Sequence, residues 1–197
     1  MQKVGKYLKS GFTIIELLIT ISIIGILATL TFVAYIGVQD RAQNAERIAE
    51  LKAWKNAFET YGAKNGQYPD PGPISSPTNV DSRDGSYGYC LGEGFPGGKC
   101  REYQNTPGEL TYNESDNAAL MNELKTVVAN LPKGTRVSVG DHVGPFASFR
   151  PAAEGANIHL IAIFKSTENK CPSNTITGWY DAGQQLLQCQ VQLIRYR

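Results

Sequence analysis

One acidic side chain stands in a segment near the N-terminus that is otherwise uncharged. Between Phe12 and Val38 the only charged residue is Glu16. An ionised carboxylate at the centre of a bilayer costs about 2.5–3.5 kcal/mol, and less near the interface, so such residues usually mark a partner or a function. The segment contains no Lys or Arg, so a partner cation must come from elsewhere. An amine newly formed at Phe12, one helical turn before Glu16, is a candidate.

Four cysteines form the second group with characteristic chemistry. Cys90, Cys100, Cys171 and Cys189 all follow the apolar segment. Four cysteines allow three pairings. We favour Cys90–Cys100 and Cys171–Cys189, because each pair closes a local loop that contains glycine or turn residues. Disulfides indicate an oxidising compartment outside the cytoplasm.

A zinc site is the alternative role for these cysteines. The two local spacings are 10 and 18 residues, and the sequence has no Cys-x-x-Cys pair of the kind that structural zinc sites use. We therefore expect disulfides, no metal ion and no other cofactor.

Nothing in the sequence frames a catalytic centre. His159 lies in an apolar stretch, and His142 follows Asp141 in a loop that contains glycine. No Gly-x-Ser-x-Gly motif presents a nucleophile, and no glycine-rich phosphate loop follows a predicted strand. We therefore expect that the protein is not an enzyme.

The charge of the chain gives only a weak indication of nucleic-acid binding. There are 19 Lys and Arg residues against 18 Asp and Glu residues, which is no bias toward a polyanion. A small basic group near Tyr196 consists of Lys165, Lys170, Arg195 and Arg197. Solvated surface charge is the simpler interpretation of this group, so nucleic acid stays a weakly supported partner.

The segments around Glu16 have the pattern of a membrane anchor. Residues 1–11 form a short leader with three lysines, and residues 12–38 form an apolar run of 27 residues. As a helix this run is roughly 40 Å long, which exceeds the hydrocarbon core of a bilayer at about 30 Å. The lysines favour retention of the N-terminus in the cytoplasm. We expect a single-pass membrane protein with an extracytoplasmic C-terminal part.

Residues 39–65 predict an amphipathic continuation of the same helix. Apolar residues recur at steps of three and four positions: they are Ala45, Ile48, Leu51, Trp54, Phe58 and Tyr61. Most charged residues, including Arg47, lie off this stripe. Asn65 and Gly66 supply a helix stop. We expect the stripe to pack against the rest of the chain as core.

Residues 66–197 predict a globular head, which makes the whole chain α+β. Residues 69–113 are rich in proline and glycine, and a helix is predicted over 115–131 with Ser115 as its cap. Alternating or continuous apolar runs predict the strands, which are Ser86–Cys90, Glu109–Tyr112, Arg136–Val139, Asn157–Lys165, Trp179–Tyr180 and Gln188–Tyr196. We expect a small antiparallel sheet with one face covered by the helix stripe.

Together these features resemble the N-terminus of type IV pilins and pseudopilins. The shared motif is a basic leader, then Gly11, then Phe12-Thr13-Ile14-Ile15-Glu16-Leu17, and then the long apolar run. The resemblance covers about residues 1–69. It ends at Asn65-Gly66-Gln67-Tyr68-Pro69, which is similar to the segment that often closes the long helix in this family. It says little about residues 70–197.

The resemblance implies a processing and assembly pathway. A prepilin peptidase would cut between Gly11 and Phe12, and the new amine of Phe12 would be methylated. Glu16 would pair with a Phe12 amine, commonly that of a neighbouring subunit, during assembly. The implied fold is type IV pilin-like, with the long N-terminal helix packed on a small antiparallel sheet. Cys171 and Cys189 would bound the disulfide loop found near the end of many pilins.

One residue departs from the family pattern. Val33 stands at the position where members often carry a proline, which would favour a break in the helix. Gly25 is then the remaining weak point of the apolar segment.

The sequence therefore predicts a structural subunit of a type IV pilus or a related filament. Its partners would be the membrane, prepilin peptidase, copies of itself or other pilins, and a pilus or secretion assembly machinery. After assembly it would lie in a cell-surface filament. The alternatives are a pseudopilin of a type II secretion or DNA-uptake system, and a membrane-tethered binding head that never polymerises.

Overall fold

The computed structural model describes residues 12–72, 87–103, 112–115, 117–133, 143–150 and 157–194. The chain divides into two compact units, residues 1–42 and 43–197. Its fold is α+β: a long, N-terminally apolar helix is followed by a largely antiparallel sheet, which is consistent with the type IV pilin fold. The leader lies outside the described residues.

The first helix, α1, runs from Ile14 to Asn65 and contains 52 residues, among them Val33 and Gly25. No proline occurs between Met1 and Gln67, so no missing N–H interrupts the helical hydrogen bonds. The helix ends at the stop that the sequence predicts. Gly66 adopts a φ of 73°, and its N–H donates to the carbonyl of Gly62 at 2.8 Å. Glycine suits this left-handed position because it has no Cβ.

Seven strands form one sheet: they are β1 (Tyr87–Cys90), β2 (Lys99–Tyr103), β3 (Tyr112–Ser115), β4 (Phe146–Phe149), β5 (Asn157–Lys165), β6 (Ile176–Asp181) and β7 (Leu186–Ile194). Their order is β2-β3-β1-β4-β5-β7-β6. Five of the six strand pairs are antiparallel, as predicted. The exception is the pair β1–β3, which is parallel with Tyr89 opposite Ser115.

The amphipathic part of α1 packs on one face of this sheet, as the stripe predicts. Leu51, Trp54 and Phe58 are fully buried, and Ile48 and Tyr61 are half-buried against the same cluster. The sheet contributes alternate residues of its two longest strands, which are Ile158, Leu160, Ala162 and Phe164 of β5 with Leu187, Cys189, Val191 and Leu193 of β7. Full burial of one large apolar side chain contributes roughly 1.5–3 kcal/mol. This contact therefore stabilises residues 43–197.

Two positions of the stripe prediction are wrong. Ala45 is exposed, although its spacing places it with the apolar residues. Arg47 is only 6% exposed, although its charge assigned it to the solvent side. Arg47 lies one turn before Leu51, so its aliphatic stem can pack beside the stripe.

The second helix, α2, is shorter than predicted and begins later. It spans Ala118–Lys125 instead of 115–131. Its N-cap is Asn117, whose side-chain oxygen accepts the N–H of Leu120 at 3.0 Å; the predicted cap, Ser115, lies in β3. The helix ends at Lys125 with Thr126 as its C-cap, and the β-branched run Thr126-Val127-Val128 disfavours further turns.

The strand predictions succeed where the apolar pattern is long. Strand β5 has the predicted ends, and β1 agrees with the prediction from Tyr87 to Cys90, while the predicted Ser86 lies outside the described residues. Strand β7 begins two residues before the predicted Gln188, and the predicted end at Tyr196 lies outside the described residues. The predicted strand Arg136–Val139 also lies outside them.

The strand predictions fail where a strand is short or carries charge. Strand β4 follows Gly144-Pro145, which reads as loop, and β2 contains three charged residues, so neither strand was predicted. Strand β3 contains Tyr112, the last residue of the predicted strand Glu109–Tyr112, whose other residues lie outside the described ones. Strand β6 is six residues long and includes the predicted Trp179–Tyr180.

One polar side chain of α1 is bonded to the backbone of the sheet. The Nδ2 of Asn44 donates to the carbonyl of Lys165 at 2.7 Å, and its Oδ1 accepts the N–H of Lys165 at 3.3 Å. Lys165 is the last residue of β5. The amide of Asn44 thus satisfies both backbone groups of a strand end, in the way that a paired strand would.

Replacing Asn44 with Ala should lower the free energy of unfolding of the head by about 1 kcal/mol, because both hydrogen bonds are lost. Asn44→Asp should cost more, because it places a carboxylate oxygen against the Lys165 carbonyl. Urea unfolding of the full chain in a non-ionic detergent, followed by tryptophan fluorescence, measures both effects. Asn56→Ala, at an exposed position of the same helix, is the control. Equal costs for Asn44→Ala and Asn56→Ala would contradict the prediction.

Candidate processing and assembly site

Thr13 and Glu16 form a reciprocal cap at the start of α1. The backbone N–H and the hydroxyl of Thr13 both donate to Oε2 of Glu16, at 2.9 and 2.8 Å. In return, Oγ1 of Thr13 accepts the N–H of Glu16 at 3.3 Å. This arrangement is a capping box, in which an N-cap threonine and a glutamate three residues later satisfy donors that the helix leaves open. The carboxylate also stabilises the positive end of the helix dipole.

The capping role of Glu16 is the one functional contact at this end that sequence reasoning missed. Its signal is present, because Thr13-Ile14-Ile15-Glu16 is a Thr-x-x-Glu pattern directly before an apolar helix. The two bonds from Thr13 end on Oε2, so Oε1 remains able to accept a hydrogen bond from a cation in the same layer. The cap and a pairing with an amine are therefore compatible.

The serine and threonine hydroxyl groups of Ile14–Thr31 are satisfied within the helix. Each donates to a carbonyl three or four residues earlier, at 2.7–2.8 Å; the donors are Thr20, Ser22, Thr29 and Thr31. In an apolar surrounding an unpaired hydroxyl is costly, and bonding to the preceding turn removes that cost. These polar residues therefore do not prevent burial of the segment in lipid or among other helices.

The large apolar side chains of this segment are exposed. Phe12 is 84% exposed, and Ile14 is 81% exposed. Among the described residues, one stretch, Ile14–Thr31, is long and apolar enough to cross a membrane by length and composition, with a mean hydropathy of 2.3. A continuous apolar surface of this extent marks a site of interaction with lipid or protein.

The two residues that flank the predicted cut are only partly described. Phe12 lies two residues before the first helical residue, Ile14. Gly11 lies outside the described residues. The predicted cut between them therefore falls just ahead of the Thr13–Glu16 cap.

The four cysteines form two disulfides, Cys90–Cys100 and Cys171–Cys189, with Cα–Cα distances of 5.5 and 5.7 Å. The first joins the end of β1 to the start of β2, although β3 lies between these strands in the sheet. The second joins the segment before β6 to the buried face of β7. Because all four sulfurs are bonded, they are not available as thiolate ligands. Elsewhere in the described residues, no group of three metal-binding side chains occurs.

The remaining candidate residues do not form a site in the part of the chain that the structure describes. His159 is 8% exposed in the central strand β5. Lys165 and Lys170 are exposed, which agrees with solvated charge. Their predicted companions Arg195, Tyr196 and Arg197, and also His142, lie outside the described residues.

Comparison with known proteins finds similarity over part of the chain. A family model described as a prokaryotic N-terminal methylation motif matches residues 7–32, which include Gly11, Phe12 and Glu16. Type II secretion system core protein G of Aeromonas hydrophila is 32% identical over 88 residues, which cover 40% of this chain and 62% of that protein. No solved structure matches the chain significantly.

Two pilins from Neisseria give a similar result. Type IV major pilin protein PilE1 of Neisseria gonorrhoeae is 36% identical over 80 residues, or 41% of this chain and 37% of the pilin. A fimbrial protein of Neisseria meningitidis serogroup B is 42% identical over 62 residues, or 32% of this chain and 36% of that protein. The chain thus spans less than two thirds of each of these relatives. It carries a prokaryotic N-terminal methylation motif, and its curated relatives are type IV pilins and type II secretion core proteins.

Proposed function

We propose that this chain is a structural subunit of a type IV pilus or a related filament. The observation that carries the proposal is the start of α1. The Gly11–Phe12 pair, a capped Glu16 and an exposed apolar helix follow one another within residues 11–31. The pilin relatives and the methylation motif support the same assignment. The motif covers residues 7–32 and the pilin match covers 41% of this chain, so the head's own partners are not part of the proposal.

In this proposal the chain is first stored in the membrane as a single-pass protein. The lysines of residues 1–11 keep the N-terminus in the cytoplasm, and the head with its two disulfides lies outside. Prepilin peptidase then cuts between Gly11 and Phe12, and the new amine is methylated. Removal of the leader places a cation at Phe12, within reach of a carboxylate one turn along the same or a neighbouring helix.

Assembly would then transfer the apolar helix from lipid to a bundle of similar helices. The exposed side chains of Ile14–Thr31 would be buried again, so little hydrophobic free energy is lost. Glu16 and a Phe12 amine would neutralise each other in this core, because neither can stay there alone. The partners are copies of this chain or other pilins, with an assembly machinery that extracts them from the membrane.

A type II secretion pseudopilin is the second candidate. The match to core protein G covers 62% of that protein, whereas the match to the gonococcal pilin covers 37% of the pilin. The two candidates differ in where the filament is found. A pilus subunit should be recovered in the fraction sheared from the cell surface, and a pseudopilin should stay with the envelope.

The first test is the intact mass and N-terminal sequence of the protein purified from native membranes. We expect a chain that begins at methylated Phe12. The variant Gly11→Ala should retain residues 1–11 in most molecules, because the added side chain obstructs the peptidase and stiffens the scissile backbone. A wild-type chain that still begins at Met1 in cells with active prepilin peptidase would overturn the proposal and favour a tethered head.

A further inference from the structure

His159 is a titratable residue in the head that the proposed function does not use. It alternates with Ile158 and Leu160, which belong to the core under α1, so its ring lies on the opposite face of the sheet. His159 as a whole is 8% exposed. Neither Nδ1 nor Nε2 is exposed to solvent, and neither makes a hydrogen bond. A neutral imidazole has one donor and one acceptor, so both are left unsatisfied at this position.

The surroundings of His159 oppose a positive charge. Its cross-strand neighbours are Ser148 of β4 and Gln192 of β7, which are both neutral. The side chain of Gln190 lies near the imidazole and favours the protonated form, but its contact falls outside hydrogen-bonding geometry. Among the described residues, the charged group that acts on the ring is the guanidinium of Arg150, which has the same sign as a protonated histidine. No described carboxylate offsets it.

We propose that His159 makes the head acid-sensitive: its buried imidazole takes up a proton only when the strands around it separate, so acid favours the unfolded head. Burial first, and then Arg150, lowers the pKa of His159 below its ordinary value. The unfolded chain therefore binds this proton more readily than the folded chain. The contribution of neutral His159 to the free energy of unfolding is fully present above the pKa of the unfolded histidine, near 6.5. This contribution is lost as the pH falls below that value.

The size of the effect follows from this difference in proton binding. If the folded imidazole stays neutral, the unfolding equilibrium constant rises about tenfold between pH 7.5 and pH 5.5. Carboxylates with ordinary pKa values are almost fully ionised over this range. The histidines are therefore the side chains whose titration can produce the change.

The experiment is urea unfolding of the full chain in a non-ionic detergent at several pH values between 5.5 and 7.5. Trp54 of α1 packs in the core under the sheet, and Trp179 lies in the head, so both report unfolding by fluorescence. We expect the tenfold rise in wild type, its loss in His159→Phe, and its persistence in His142→Gln, which removes the only other histidine. A flat wild-type profile, or a profile abolished by His142→Gln, would overturn the proposal.

A second measurement is independent of whether His159→Phe folds. Nuclear magnetic resonance of the wild-type chain with labelled histidine follows the protonation of each imidazole directly. We expect the His159 resonance to keep its neutral shift down to pH 5.5 in the folded protein. A normal titration of His159 near pH 6.5 would refute the acid-sensitive role, whatever the variants do.

Discussion

Filament yield should fall more than tenfold when Glu16 is replaced with Ala, while membrane insertion and leader removal continue. In the proposed filament the carboxylate neutralises a Phe12 amine inside an apolar core. Removing one member of a buried ion pair costs about 3–5 kcal/mol, because the other charge stays buried without a partner. Insertion should not suffer, because Ala is more apolar than Glu and favours the helix. Filaments in the sheared fraction, normalised to processed subunit in the membrane, provide the measurement.

The Thr13–Glu16 cap allows the charge of Glu16 to be separated from its hydrogen bonds. Glu16→Gln can keep the capping box, since glutamine also serves at this position, but it cannot neutralise an amine. We therefore expect Glu16→Gln to assemble as poorly as Glu16→Ala. Filament yield near that of wild type in Glu16→Gln would contradict the ion pair and leave the cap as the function of Glu16.

Variants of Thr13 test the opposite case, in which the charge remains and the cap is lost. Thr13→Ala removes the hydroxyl that bonds to Oε2 and to the Glu16 N–H. Loss of an N-cap costs about 1 kcal/mol, so yield should fall severalfold at most. Thr13→Ser keeps the hydroxyl and should assemble like wild type. A loss in Thr13→Ala as large as in Glu16→Ala would show that the cap controls assembly.

The long helix and the long strands were predictable because their hydrophobic patterns extend over many residues. The apolar run and the stripe from Ile48 to Tyr61 predict α1, and the Asn65-Gly66 stop fixes its end. The apolar run Asn157–Lys165 predicts β5, and the alternation in β7 predicts which of its residues face the core. In each case many residues repeat the same period, so a single exception such as Arg47 does not change the result.

The errors concern features that a few residues decide. Asn117 and Ser115 are both good caps, and only tertiary pairing of Ser115 in β3 selects Asn117. The parallel β1–β3 pair depends on a connection through β2, which local sequence does not encode. Strand β4 is four residues long, and its place between β1 and β5 stabilises it.

The candidate site was predictable in its residues but not in its contacts. Glu16 stands out because a charge in an apolar run is rare, and the resemblance to pilins points to Gly11 and Phe12. The Thr13 cap follows an ordinary Thr-x-x-Glu pattern, but Glu16 was interpreted only as the partner of a cation and not as a capping residue. The sequence places His159 in an apolar stretch but does not show its hydrogen bonds. The structure buries it with both nitrogens unpaired, which depends on residues from three strands.

Each disulfide should stabilise the head by a free energy nearly as large as that by which the ion pair stabilises the filament. Opening the Cys171–Cys189 loop, with a sequence separation of 18, should lower the free energy of unfolding by about 3 kcal/mol, because the unfolded chain regains the entropy of the open loop. The double variant Cys171→Ala/Cys189→Ala tests this by urea unfolding. Alanine is preferred to serine, because Cys189 is fully buried and a hydroxyl would add an unsatisfied polar group.

The Cys90–Cys100 pair is the matched control within the same chain. Its sequence separation is 10, and loop entropy depends only weakly on length, so Cys90→Ala/Cys100→Ala should cost about 0.5 kcal/mol less than the other double variant. Dithiothreitol should destabilise wild type by at least as much as either double variant does, and it should leave a chain without cysteines unchanged. If reduction does not alter the unfolding of wild type, loop closure is not what stabilises the head, and its stability must come from the contact between α1 and the sheet alone.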